Sequence, residues 1–307
     1  MNSLLSIQKE KLQSMQIVDW GYIEESKPST FKFFDKWIKN KLNGPLGYMA
    51  DHRKDIRSDI KNFFPEFQSS LVFLFDYTPA AKLNKENDDH RFAAYTKGFD
   101  GIDYHYWIKD KLESVALSLG LENYKLSIDA QPVLERDMAA KAGLGWFGKN
   151  SMLINKKHGS FFLISSILID TKLDLNKAEI EIDHCGNCTK CIDACPTSAI
   201  IDNKIIDADK CISTFTIELF KDAEAPKGYP TDTGEIFGCD ICQDVCPWNI
   251  KPLNRSDVME SPEYLKTYEE TDLESISNRQ FKRIFKGTSL ERTGRVGLLK
   301  NLKKKSD

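Results

Sequence analysis

Apolar residues recur at three- and four-residue spacing over residues 4–15 and 31–42, which predicts two helices near the N-terminus. Residues 71–76 form an almost unbroken apolar run of strand length, the pattern of a buried strand. Helical spacing returns over 104–119 and stops at Gly120, a residue type that closes helices because it accepts positive φ at little cost. A short strand is predicted at 125–128 and a helical turn at 138–142. Two further strand-like runs, 151–155 and 160–169, flank Lys156-Lys157-His158-Gly159, the composition of a hairpin turn. This alternation predicts an α/β or α+β domain over residues 1–175. Residues 170–183 are polar and read as a connector to a second unit, 176–250. A third segment, 251–307, returns to helix: 281–285 and 289–302 have apolar spacing with basic residues between, and Thr288-Ser289-Leu290-Glu291 fits a capping box.

Composition narrows the class. With 307 residues, 41% hydrophobic, 29% charged and a formal charge of -3, the chain has the makeup of a soluble globular protein. Apolar runs such as 161–169 are too short to span a bilayer, and the first residues lack the basic and apolar blocks of an export signal, so a cytoplasmic location is expected. Charge is unevenly spread. From Arg279 to the end there are ten Lys or Arg against two acids, a local net of +8. That asymmetry fits either a polyanionic partner or a solvated, frayed terminus.

Eight cysteines in a reducing compartment point to metal rather than disulfides. None precedes Cys185. Cys185-x2-Cys188-x2-Cys191-x3-Cys195-Pro196 has the bacterial ferredoxin spacing, in which three thiolates grip one cluster and the fourth reaches another. Cys239-x2-Cys242-x3-Cys246-Pro247 repeats the device one cysteine short, and Cys211 remains to complete it. The expected ligand sets are Cys185, Cys188, Cys191 and Cys246 for one 4Fe-4S cluster, and Cys195, Cys211, Cys239 and Cys242 for the second. Zinc ribbons use two separated CxxC pairs, which this run does not match.

The stretch Gly143-Leu144-Gly145-Trp146-Phe147-Gly148-Lys149-Asn150 satisfies GxGxxG and nearly satisfies a P-loop. Both motifs need a strand before and a helix after, whereas here the predicted order is helix then strand, and Asn150 stands where a P-loop has Ser or Thr. Nucleotide binding is therefore not expected. The glycines imply close backbone approach, to another segment or to a large cofactor.

Several separate motifs occur together: Asp103-Tyr104-His105, Asp129-x2-Pro132-x2-Glu135-Arg136, Ala142-Gly143-Leu144-Gly145-Trp146, His184-Cys185-Gly186-x-Cys188, and Cys239-Asp240-x-Cys242-x2-Val245-Cys246-Pro247-Trp248-Asn249. From about residue 44 to residue 302 the chain resembles the epoxyqueuosine reductases, themselves similar to the reductive dehalogenases. The resemblance implies a cobalamin-binding, nitroreductase-like N-terminal domain and a ferredoxin-like domain with two 4Fe-4S clusters. It implies a short helical basic tail in place of the HEAT-like extension common in the family. The implied reaction reduces epoxyqueuosine to queuosine in the anticodon loop of tRNA, the last step of queuosine biosynthesis, with electrons from an external low-potential donor. A cytoplasmic monomer is expected.

On this resemblance Glu135 is the expected proton donor, with Asp137 as rival. Asp129, Lys149, Asn150, Gly159, Ser160 and Ser213 are expected around the cobalamin. His105 is expected to pack or hydrogen-bond rather than bind cobalt, since Ile108 replaces the glycine of the DxHxxG signature, and His184 to tune the neighbouring cluster. His52, His90 and His158 carry no metal-ligand spacing. Two other classes stand beside this reading: a corrinoid reductase of a small molecule, dehalogenase-like, and a non-catalytic electron carrier. The long cysteine-free domain argues against a carrier, and the lack of an export signal against a dehalogenase.

Overall fold

The structure, a computed structural model, describes residues 9–87, 91–202, 204–219 and 233–303. The expected helical residues 4–8, His90 and the terminal lysines 304 and 305 lie outside the described residues. Strands β1 (Ile17–Ile23), β2 (Ser69–Asp76) and β3 (Tyr124–Ile128) are followed by two short strands, β4 (Trp146–Phe147) and β5 (Leu153–Ile154), and by β6 (Phe162–Ile169). The main sheet runs β1-β2-β6-β3 and every neighbouring pair is antiparallel. The α/β expectation is thereby corrected to α+β.

The physical reason lies in which faces are covered. Leu71, Phe73, Phe75, Ile167 and Ile169 point to one side, where Trp107, Ile108, Leu112 and Val115 of helix Tyr104–Ser118 pack on them. Val72, Leu74, Phe162 and Leu168 point to the other, under Met138 and Ala139 of helix Glu135–Lys141. An antiparallel sheet usually leaves one face in water and shows alternation. Here both faces are buried, so the alternation is erased.

The hairpin expected between 151–155 and 160–169 closes only as a single bridge. Asn155 and Gly159 exchange backbone hydrogen bonds of 2.7 and 2.9 Å, while β5 pairs with β4 instead of β6. That β4-β5 ribbon explains the glycine-rich run: Gly145 has φ of +151°, and a Cβ there would lie 2.1 Å from the Ile154 carbonyl oxygen.

Residues 171–189 form no regular helix or strand, and the cysteine region follows. Two one-turn helices, Lys190–Asp193 and Ile241–Asp244, carry Cys191 and Cys242, and a small ribbon pairs β7 (Ile200–Asp202) with β8 (Ile205–Ile206). A buried polar clasp fixes this unit to the first domain. Asn249, 0% exposed, accepts the Ser160 backbone N–H at 2.7 Å and donates to the Gln243 carbonyl at 2.7 Å. The Ser160 hydroxyl reaches Gln243 Oε1 at 2.9 Å, and Asp240 accepts the Ala94 N–H at 2.6 Å.

The C-terminal helices are not frayed. Helices Glu263–Glu270, Asn278–Ile284 and Leu290–Lys303 build a third core, in which Tyr264, Tyr268, Phe281, Phe285 and Leu298 pack with Phe92 and Phe237. The capping box lies at Ser277 and Gln280, not at Thr288. The Thr288 hydroxyl bonds back to the Phe285 carbonyl at 2.8 Å, and Glu291 accepts the Gly287 N–H at 2.8 Å.

Because Asn249→Ala strands the buried Ser160 N–H and leaves the Gln243 carbonyl with the Cys246 N–H alone, it is expected to destabilise the protein by about 2 kcal/mol. A lowered urea midpoint measures this; an unchanged midpoint would show that the clasp carries no stability.

Candidate active site

The backbone brings the eight cysteines into two neighbourhoods. Burial raises the Cys246 thiol, and Cys185, Cys191 and Cys188 act on it as nearby like charges. Burial likewise raises Cys191, with Cys185 and Cys188 beside it. In the second neighbourhood Cys242 is raised by burial and then by Cys211; Cys211 is raised by burial and by Cys195; and Cys239 feels Cys242. Cys191 also acts on Cys242, so the two groups adjoin.

Donors surround these sulfurs. The Ala199 N–H lies 3.3 Å from Cys195 Sγ; Ser213 and Thr214 backbone groups bond Cys211; and Asn150 bonds Cys242. The Trp146 indole N–H is buried without a partner in the apolar box formed with Ile154, Cys185, Cys246 and Trp248. Buried donors without acceptors are costly, and a sulfide-bearing cluster would satisfy this one. The donor set therefore fits iron-sulfur clusters. His184 packs edge-on to Trp146 at 4.8 Å and bonds Glu181 at 2.8 Å.

The expected acids separate by environment. Glu135 opens helix Glu135–Lys141, and its Oε1 accepts from the Ser127 hydroxyl at 2.5 Å and from the Asp129 N–H at 2.9 Å. Burial, and then the Asp129 charge, push its pKa up to about 8. Asp137, the rival, is 2% exposed and held by Ser29 Oγ at 2.7 Å, the Thr30 N–H at 2.9 Å and Lys141 at 3.0 Å. It ties the helix to the Ser29–Thr30 loop.

Asp129 follows β3 with a left-handed φ of 62°, and its side chain is 58% exposed. It accepts the Tyr104 hydroxyl at 2.7 Å. The His105 ring stacks on Tyr104, with Nδ1 2.7 Å from Asp103 Oδ1 and Nε2 4.0 Å from Asp129 Oδ2. His105 thus hydrogen-bonds, as expected.

Facing Asp129 are groups with no sequence motif. Glu218, at the end of the π-turn Thr214–Glu218 that follows Cys211, pairs with Arg292 at 2.9 Å. Burial raises the Glu218 pKa, Arg292 opposes this, and Asp129 adds to it. Burial raises Tyr48 to about 12, helped by Glu218 and Asp129. Tyr48, Glu218, Arg292, Tyr104 and Asp129 therefore border one polar region beside the second cysteine quartet. Only the π-turn, a frequent companion of functional sites, would have flagged Glu218, and helical spacing alone does not reveal such a turn.

The other expected cofactor contacts are divided. Ser160 is 1% exposed, its hydroxyl bonds Gln243 in the clasp, and the Asn150 side chain bonds the Cys242 carbonyl. Gly159 packs under Asn249, where a Cβ would lie 2.1 Å from Oδ1. Lys149 lines a cleft of about 590 Å³ with Asp183, Gly186 and Ile201, and Asp129 is not among its lining residues. Ser213 opens the π-turn.

The raised Glu135 pKa has a stability consequence. The folded state keeps a proton that the unfolded chain releases above its ordinary value of 4.5, so stability from this group is full below 4.5 and is lost as pH rises through about 8. Asp129 and Arg136 face it, with Arg57 nearby. Glu135→Gln keeps the acceptor but cannot ionise. Its melting temperature relative to the parent is expected to climb from about pH 5 to about pH 9; a pH-independent difference would contradict this.

Comparison with known proteins bears on this geometry. A family described as "4Fe-4S double cluster binding domain" matches residues 184–249, and one described as "Epoxyqueuosine reductase QueG, DUF1730" matches residues 57–130. An epoxyqueuosine reductase of Cyclobacterium marinum is 37% identical over 292 residues, covering 93% of this chain and 90% of the relative. Two solved epoxyqueuosine reductases superpose with a TM-score of 0.74 at 25% identity, covering 96% of this chain and 79% of theirs. One holds an epoxyqueuosine-modified stem loop of a tyrosine tRNA. The other, from Bacillus subtilis, is described with an aspartate catalytic loop swung out of its active site. With shared identity along almost the whole of both chains, this protein belongs to the epoxyqueuosine reductase family.

Proposed function

We propose that this protein reduces the epoxide of epoxyqueuosine in the anticodon loop of tRNA to the alkene of queuosine, using two 4Fe-4S clusters and cobalamin. The observation that carries the reading is the meeting, across one polar region, of a loop-borne carboxylate, Asp129, and the turn that follows Cys211 in the double-cluster segment. Opening an epoxide to an alkene consumes two electrons and two protons and releases water. A proton source and an electron source must therefore face the same carbon-oxygen bond.

The cysteine quartets named above would hold the clusters, fed by an external low-potential donor. The half-buried Cys185–Cys191 loop is the entry and the deeper Cys211, Cys239 and Cys242 set the exit toward Asp129. Cobalamin, when bound, supplies the cobalt centre that gathers single electrons for a two-electron reduction at carbon. The polar rim of Asp129, Tyr104, Tyr48, Ser213 and Glu218 fits an amide-rich ring, since cofactor sites fix orientation with a few such groups.

Proton delivery is reassigned from Glu135 to Asp129. Glu135 spends Oε1 on Ser127 and on the Asp129 N–H, so it positions the loop, while Asp129 presents an open carboxyl. An aspartate catalytic loop in the Bacillus subtilis relative agrees with this choice. Asp103 fixes His105 so that Nε2 faces Asp129, a route for its reprotonation. Chemistry on a nucleobase side chain also requires the nucleotide to leave the stack, and an anticodon loop offers it unstacked.

Purified protein with cobalamin and a low-potential reductant is expected to convert epoxyqueuosine in tRNA to queuosine, read by nucleoside mass spectrometry. No product would remove the function. Asp129→Asn is expected to lower kcat by about 10²- to 10⁴-fold, and Glu135→Gln by less than about tenfold. The reverse ranking would restore Glu135 as donor.

A further inference from the structure

Residues 27–62 hold nine Lys or Arg against four Asp, and this segment delivers Tyr48 to the rim of the site. Its helix Phe31–Lys39 buries no residue fully, yet its two faces differ sharply. The inner face is anchored. Phe31, Phe34 and Trp37 contact one another in series, the Trp37 indole donates to the Ile206 carbonyl at 2.7 Å, and Arg57 lies over Phe34 at 5.8 Å. The outer face carries Lys32, Lys36 and Lys39 at i, i+4 and i+7, with Phe33 beside them, 63% exposed. Asp35 neutralises Lys39 and Lys54, each at 2.6 Å. Lys32, Lys36 and, in the following turn, Lys41 are exposed and have no carboxylate partner among the described residues. Lys32 lies 5.0 Å from the Phe33 ring centroid.

We propose that this outer face is an RNA-docking rim, on which Lys32, Lys36 and Lys41 hold backbone phosphates of the anticodon stem loop and Phe33 stacks on an unpaired base. The inference rests on the tRNA reading above. Unpaired cations interleaved with an exposed aromatic are the pattern of single-stranded RNA contact, because the charges follow the backbone and a ring accepts any base face. Position supports the same partner. Tyr48, from the turn after this helix, interacts with Glu218, and Glu218 is paired with Arg292 of the C-terminal helix. The segment that carries the rim and the helix that carries Arg292 thus meet at Glu218, so a loop bound at this region would have both within reach. Lys282, Arg283 and Lys286 of the C-terminal segment are exposed as well.

Binding of a synthetic anticodon stem loop to the cluster-loaded protein, followed by fluorescence anisotropy across a salt series, tests this. Lys32→Gln/Lys36→Gln is expected to weaken binding about tenfold near 0.1 M salt and to reduce the slope of log K against log salt by about one unit or more. Phe33→Ala is expected to weaken binding about tenfold with the slope unchanged, and Phe33→Trp to restore it. Cluster absorbance and melting temperature report whether each variant is folded. If parent and folded variants bind alike with equal slopes, the rim is wrong while the function stands. If the parent itself binds no stem loop and forms no queuosine, both fall.

Discussion

The clasp of Asn249, Gln243, Ser160 and Asp240 is the interaction on which the rest depends. The proposed function draws electrons and protons from different parts of the chain, and their meeting would require the Cys239–Cys246 segment to be held against the first domain at fixed depth. Apolar packing alone would allow it to slide. Buried directional bonds do not, because each displacement strands a donor or acceptor in a low-dielectric interior. Gly159 completes the clasp by its lack of a side chain, which lets Asn249 approach the backbone directly. The same bonds commit both the hydroxyl and the backbone N–H of Ser160.

Much of the fold was legible. Strand β2 and helix Tyr104–Ser118 follow from local pattern, as does the double-cluster segment from its cysteine spacing. What local pattern could not supply was pairing. An unbroken apolar strand reports two covered faces and says nothing of whether its neighbours run parallel. Strand β1 passed unnoticed because Trp20, Gly21 and Tyr22 mix apolar bulk with a glycine, whose absent side chain serves a close approach to Ala142. The capping box failed at Thr288 for a comparable reason. The Thr288-x-x-Glu291 spacing is present, but the hydroxyl finds the Phe285 carbonyl first.

The site was legible where chemistry is written in spacing and hidden where it arises from the meeting of distant segments. Tyr48, Glu218 and Arg292 carry no motif, and only folding sets them around Asp129. The two carboxyls illustrate the limit further. Residue type and motif position cannot distinguish Glu135 from Asp129, because the distinction is environmental. Glu135 is desolvated and doubly bonded, which favours its protonated form; Asp129 is open to water and held in a left-handed turn. A protonated Glu135 also removes a negative charge from beside Asp129, so the two carboxyls do not face each other as like charges.

The proposed docking rim has a physical reason to lie apart from the largest excess of cations. The C-terminal segment has the largest excess of cations, yet several are consumed in holding it down: Arg292 pairs with Glu218, Arg295 bonds the Leu273 carbonyl at 2.6 Å, and Lys300 bonds the Phe215 carbonyl at 2.6 Å. A cation donating to buried carbonyls has surrendered most of its capacity to bind phosphate. Lysines on the outer face of helix Phe31–Lys39 are fewer but open. Counterion release depends on phosphates actually neutralised, so exposure and partnering, rather than local net charge, decide where a polyanion is held.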